Sequence, residues 1–198
     1  MASLRQHFRD LLVREEGLAY LEFALSISLM LMMFMGSVEI SRCLLITQKL
    51  EKVAASVADV TTQTDPNTGP VTTSQMSQLM SAVTDMMSPY TTGVSDPKIK
   101  VIVTDITKTG SNSPVINWQY CGGGALSVNS SLGTTVGSNA TLPSGFTMSA
   151  GEEVVIGEVY YSFTPIISNN RILGSFRIYR YSIYVPRLGA LTGFSSHC

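Results

Sequence analysis

The sequence predicts an α+β fold in which a long N-terminal helix and a short second helix pack on a C-terminal antiparallel sheet. Three observations predict it. Residues 18–38 form a nearly uncharged apolar run, and apolar residues continue at helical spacing beyond it. After Pro89 the apolar period changes to two, the period of strands. The period-two segments are separated by Gly-, Ser- and Thr-rich stretches instead of helical patterns, which argues against a parallel α/β sheet. At 198 residues there is room for one domain plus appendages. A net charge of -1, with 14% charged residues and no long run of one sign, excludes a polyanion-binding tail, so nucleic acid is not an expected partner.

From Leu18 to Val38 the only formal charge is Glu22. At about 1.5 Å per helical residue the run covers about 30 Å, the thickness of a hydrocarbon core. A single transmembrane helix is predicted. Arg5, Arg9 and Arg14 precede it, mixed with Asp10, Glu15 and Glu16. The orientation rule counts Lys and Arg, so the N-terminus stays cytoplasmic and everything after Val38 faces the other side. A cleaved secretory signal peptide is the rival, but its apolar core is shorter, about 7–15 residues, and Glu39-Ile40-Ser41-Arg42 makes a poor cleavage site. Glu22 lies about 6 Å into the span, where its cost is below the roughly 2.5–3.5 kcal/mol of an acid at mid-bilayer. Two readings stand side by side: a carboxylate that snorkels to the headgroups, or one awaiting a positive partner within the membrane.

Beyond the span, Cys43, Ile46, Leu50, Val53, Val57 and Val60 recur at spacings of 3 and 4, so one helix runs from Leu18 to about Thr62. Its seam lasts under three heptads, which favours packing on the protein's own sheet over a coiled coil. "TDPNTGPVTT", residues 64–73, ends the helix and opens a globular domain spanning 64–198. Met76, Leu79, Met80, Val83, Met86 and Met87 then predict a short amphipathic helix over Ser74–Ser88, capped by Thr73 or Ser74, with methionine as core filler.

Four strands are predicted: "KIKVIVTDIT", with Ile99, Val101 and Val103 on one face; the shorter "VINWQY"; "EEVVIGEVYYSFTP", with Val155, Val159, Tyr161 and Phe163 opposite Glu158, Tyr160 and Ser162; and "SFRIYRYSIYVPR". Residues 121–150 read as a long loop or a weakly paired hairpin. Tyr160, Tyr161, Tyr179, Tyr181 and Tyr184, with Arg177 and Arg180, are residue types that populate binding hot spots, although half of them must pack the sheet.

Catalytic signals are missing. There is no phosphate-binding loop, nucleophile elbow or paired histidine; His7 and His197 lie at the two ends. No catalytic residue, metal or cofactor is expected. Asp105, Glu153 and Glu158 are expected on solvated strand faces. Of the three cysteines, Cys43 lies in the long helix near the membrane, Cys121 follows a strand and Cys198 ends the chain. On the oxidising side of the membrane Cys121 and Cys198 are the predicted pair, with three reduced thiols as the alternative. Asn129 and Asn139 sit in glycosylation sequons of the kind that arise by chance in Ser/Thr-rich loops.

The run Gly17-Leu18-Ala19-Tyr20-Leu21-Glu22-Phe23 resembles the processing site of type IVb prepilins, G-x-x-x-x-E-[FY]. The wider stretch resembles the TadE-like minor pilins and pseudopilins of the tight-adherence (Tad) pilus system. Glu22-Phe23-Ala24-Leu25 opens the apolar helix and Glu39-Ile40-Ser41-Arg42 is similar to the family's E-x-[GS]-R; where members often carry proline, this chain has Ser28. Tyr161-Ser162-Phe163-Thr164-Pro165-Ile166 and Val185-Pro186-Arg187 are similar to the family's closing strands.

The resemblance implies a pilin-like fold whose leader, residues 1–17, is removed by a prepilin peptidase that cuts between Gly17 and Leu18. It implies Glu22 and Phe23 as assembly determinants. Partners would be that peptidase, other pilin or pseudopilin subunits, inner-membrane assembly proteins and membrane lipid. The protein would sit in the bacterial inner membrane with its C-terminal domain periplasmic, and reach the pilus or cell surface after assembly. It would act in pilus assembly, initiation or adhesion, not as an enzyme. A permanently anchored periplasmic scaffold or sensor is the alternative; a membrane-tethered hydrolase would need converging acids that the sequence does not display.

Overall fold

The computed structural model describes residues 15–166, 174–193 and 198, with side chains from Leu18 onward. The leader before Glu15 and both histidines lie outside the described residues. The chain divides into two compact units, Met1–Arg42 and Cys43–Cys198.

In the first unit the helix α1 (Glu15–Thr62) begins. Among the described residues it is the one helix long and apolar enough to cross a membrane, with a mean hydropathy of 1.9 in its most apolar window. Its hydroxyls turn back onto its own backbone: Ser28 Oγ donates to the Ala24 carbonyl at 2.7 Å and Ser37 Oγ to that of Phe34 at 2.7 Å. Such back-bonding satisfies a hydroxyl without water, as a helix crossing hydrocarbon would require. Where the apolar run ends, Arg42 pairs with Glu39 at 3.0 Å.

In the second unit the remainder of α1 buries Ile46, Leu50, Val53, Ala54, Val57, Ala58 and Thr61. Val60, which a strict seven-residue repeat puts in the seam, is 49% exposed. A straight helix drifts about 20° per heptad from that repeat, so the buried stripe moves onto Ala58 and Thr61. The second helix, α2 (Thr73–Met87), buries Met76, Met80, Val83 and Met87. Its cap is Thr72, one residue before the expected Thr73: the Thr72 hydroxyl accepts from the Gln75 N–H at 3.2 Å and the Gln75 side chain accepts from the Thr72 N–H at 2.9 Å. This reciprocal capping box settles two otherwise orphaned donors. At the other end α2 has no basic residue in its last turn, and Lys49 from α1 donates to the carbonyls of Met86 and Ser88 at 3.0 and 2.7 Å.

The strands β1 (Ile99–Thr107), β2 (Val115–Gly122), β3 (Glu153–Phe163) and β4 (Phe176–Tyr184) form one antiparallel sheet in the order β2-β1-β3-β4. The helices cover one face, over Ile99, Val101, Val103, Trp118, Val155, Val159, Tyr161 and Phe163. A register shift in the β1–β2 pairing after Asp105 turns Ile116 to the opposite face from Trp118.

That opposite face is not wet. Residues 130–148, with a single bridge between Val115 and Asn139, lie across it as an irregular layer, and Leu132 and Met148 pack there with Ile106, Val154 and Ile156. The sheet is therefore buried on both sides, which is why β1 and β3 show almost unbroken burial instead of alternation. The C-terminal segment closes the edge. The Val71 N–H donates to the Thr192 carbonyl at 2.7 Å, and Gly193 approaches the Trp118 ring closely enough that a Cβ would fall 2.5 Å from it. A disulfide joins Cys121 to Cys198, with Cα atoms 5.0 Å apart, and Cys43 is free.

Candidate functional site

The residues singled out near the N-terminus all lie on α1. Gly17 and Leu18 are inside the helix, and Glu22 follows Leu18 by four residues, so Leu18 and Glu22 share a face. Leu18 is 44% and Phe23 66% exposed. Glu22 is exposed, and no hydrogen bond or ion pair engages its carboxylate among the described residues. The strip is thus an apolar surface bearing one unpartnered acid.

A second polar centre lies on the outer face of the sheet, where solvated carboxylates were expected. Glu158 is fully buried. Its Oε1 accepts from the Ser131 N–H at 3.1 Å, the Ser131 hydroxyl at 2.5 Å, the Tyr160 hydroxyl at 2.8 Å and the Tyr179 hydroxyl at 3.0 Å. Its Oε2 accepts from the Ser130 hydroxyl. Burying a carboxylate is costly unless donors replace its water, and five donors do so. Burial and the Glu158 charge push the Tyr160 hydroxyl up to about 12 and raise that of Tyr179 as well, so both remain donors. Tyr160 stacks on Tyr179 with ring centres 4.8 Å apart, and Tyr179 on Tyr181 at 5.8 Å. Beside this stack lies a cavity of about 280 Å³ between β4 and the irregular layer.

A second acid expected in solvent, Asp105, is also fully buried, on the helix side near the C-terminal segment. Asn117 Nδ2 donates to its Oδ2 at 3.0 Å, while its Oδ1 has no hydrogen bond. Burial first, and then the neighbouring Glu153 charge, push Asp105 up to about 8. Glu153 is half-buried and raised by burial, even though its Oε1 accepts from the Leu191 N–H at 2.7 Å.

The expectation of solvated acids failed for Glu158 because a layer remote in sequence covers its face, and for Asp105 because alternation already places it on the helix-packed face with Val101 and Val103. The signal that would have corrected it is the run Val154–Tyr161, nearly continuous in apolar residues as a strand covered on both sides must be. The Ser130 and Ser131 donors lie 28 and 27 residues before Glu158 in a stretch without period, so no local pattern pairs them with it.

Comparison of the chain with family models, with curated proteins and with solved structures finds no match.

Proposed function

We propose that the protein is a structural subunit of a pilus-like fibre, a minor pilin or pseudopilin of the tight-adherence type. The observation that carries this reading is Glu22: an exposed, unpartnered carboxylate one helical turn beyond Leu18, on a helix otherwise apolar enough to cross a membrane. An acid in that position wants a cation from outside its own chain. Cleavage of the Gly17–Leu18 bond by a prepilin peptidase supplies one, the new α-amino group of Leu18 on a neighbouring subunit. In a low-dielectric setting the pair attracts strongly, desolvation offsets much of the gain, and its main yield is register between subunits.

The exposed apolar surface, from Leu21 through Phe34 to Leu45, serves two solvents in turn: lipid while the subunit waits in the inner membrane, and the helices of other subunits once it enters a fibre. The domain beyond Cys43 then lies on the periplasmic side and moves to the cell surface with the fibre.

Intact mass and N-terminal sequence of the protein purified from membranes, for the wild type and for Gly17→Ala, test the first step. A wild-type N-terminus at Leu18 that the substitution abolishes is the expected result. An unprocessed Met1 in both overturns the reading and leaves a permanently anchored scaffold or sensor. Glu22→Ala tests the second step: processing is retained while incorporation into sheared fibres is lost.

A further inference from the structure

We propose that the cavity beside Tyr179 and Tyr181 is a binding site for a neutral sugar ring. It lies wholly within the Cys43–Cys198 unit and does not depend on the N-terminal helix or on the pilin reading.

Size sets the first limit. About 280 Å³ is the volume of roughly nine liquid-phase waters, room for one six-membered ring with its substituents.

Charge sets the second. None of the described residues lining the cavity is ionised, because Glu158 is held behind the wall with its oxygens taken up by Ser130, Ser131, Tyr160 and Tyr179. A phosphate or an ammonium group would enter without a counter-charge from the lining to offset its lost hydration. An uncharged ligand would not suffer this.

The distribution of polar groups sets the third. The rings of Tyr179 and Tyr181, with Pro143 and Leu142, form an apolar wall. Ser131, Thr141 and Ser144 place hydroxyls around it, and those of Thr141 and Ser144 make no hydrogen bond among the described residues. Each hydroxyl both donates and accepts, as do the hydroxyls of a sugar, while a pyranose ring has a face of C–H bonds that lies flat on an aromatic ring. A purely apolar ligand would strip water from the hydroxyls without replacing it, and a purely polar one would waste the tyrosine wall.

Rigidity is already in place. The Glu158 network fixes Tyr179 and Ser131, the Thr141 N–H bonds the Leu132 carbonyl at 2.7 Å, and Gln119 donates to the Gly133 carbonyl at 3.1 Å. Glu158 is therefore a positioning residue, and little ordering remains to be done when a ligand enters.

A free monosaccharide and the terminal sugar of a surface glycan present the same ring. The test uses the full chain in phosphocholine micelles, avoiding detergents with sugar headgroups, and saturation-transfer NMR with millimolar glucose, galactose and N-acetylglucosamine methyl glycosides. Transfer to ring C–H protons of at least one, reduced five-fold or more by both Tyr181→Ala and Thr141→Val, is the expected result. Tyr181 is 42% exposed and Thr141 lies at the surface, so both variants leave the core intact. No transfer from the wild type to any of the three, or transfer that neither variant diminishes, overturns the assignment; the latter would locate binding elsewhere. If a free sugar binds, immobilised oligosaccharides ending in it should retain the wild type and release both variants, whereas retention of neither protein confines the site to free monosaccharide.

Discussion

A Cβ built on Gly157 would lie 2.7 Å from the carbonyl oxygen of Ala54 and 3.4 Å from the Ala58 methyl. At the middle of β3 the sheet meets α1 backbone to backbone, and the missing side chain is what lets it. Gly157→Ala must push the helix away from the sheet, because the clashing atom is a main-chain oxygen that cannot swing aside. The expected cost is about 1–3 kcal/mol, a fall in Tm of several degrees. Thermal melts of the full chain in detergent check it, and an unchanged Tm would show that the helix gives way freely.

Asp105 makes stability depend on pH. Folding raises its proton affinity from an unfolded value near 3.9 to about 8, so between those values the folded chain holds more protons than the unfolded one. Its contribution is complete below about pH 4 and is lost as pH rises through about 8. Glu153, also raised, acts in the same sense. Asp96 has the opposite sign: burial alone would raise it, but the Lys98 and Thr92 donors hold it below its usual value, so its contribution disappears on acidification. Denaturation midpoints should therefore fall between pH 5 and pH 8.5, and Asp105→Asn should flatten that slope.

Glu158→Ala leaves the Ser131 N–H and four hydroxyls without their shared acceptor inside the protein. A loss of about 2–4 kcal/mol is expected, read as a lower urea midpoint at constant slope. Glu158→Gln keeps the shape but presents a donor to donors, and should fall between the wild type and the alanine variant.

Thr72→Ala removes the hydroxyl that receives the Gln75 N–H. About 1 kcal/mol of stability should be lost, while Thr73→Ala, at the first helical position, should change little. Comparing the two by urea titration locates the start of α2.

Replacing both Cys121 and Cys198 by alanine opens a covalent loop with a sequence separation of 77. The chain-entropy argument puts the loss at about 4.5 kcal/mol for a loop of this length, against the roughly 2–4 kcal/mol typical of disulfides. Reduction of the wild type should lower its Tm to that of the double variant, and reductant should leave the variant unchanged.

The architecture was legible wherever one period ran long enough. The 3–4 spacing of Ile46, Leu50, Val53 and Val57 and the alternation of Ile99, Val101 and Val103 located helix and strand and the faces on which they meet. What alternation does not carry is the state of the other face. Ile102, Ile106 and Ile156 are apolar on the other side, and the layer that covers it, residues 130–148, has no period to betray its packing. Glu158 went astray for the same reason, kept from solvent by partners remote in sequence, whereas Asp105, in phase with Val101 and Val103, was misplaced only by assigning strand acids to solvent by default. The long apolar helix that carries Gly17-Leu18 and Glu22-Phe23 was legible because its composition is local. The tyrosine-lined cavity is built across the fold and was visible beforehand only as a richness in Tyr179 and Tyr181.

The bridge from Cys121 to Cys198 also changes what a protease can accomplish. It encloses β3, β4 and the whole irregular layer in one covalent ring. A single cut anywhere between the two cysteines opens the backbone but detaches nothing, and the severed ends stay on the same molecule. On a gel without reductant a nicked chain and an intact one have the same mass to within one water. Damage to the outer layer and loss of the domain are thus separate events, and a population nicked in its serine-rich layer would pass for whole until a thiol is added.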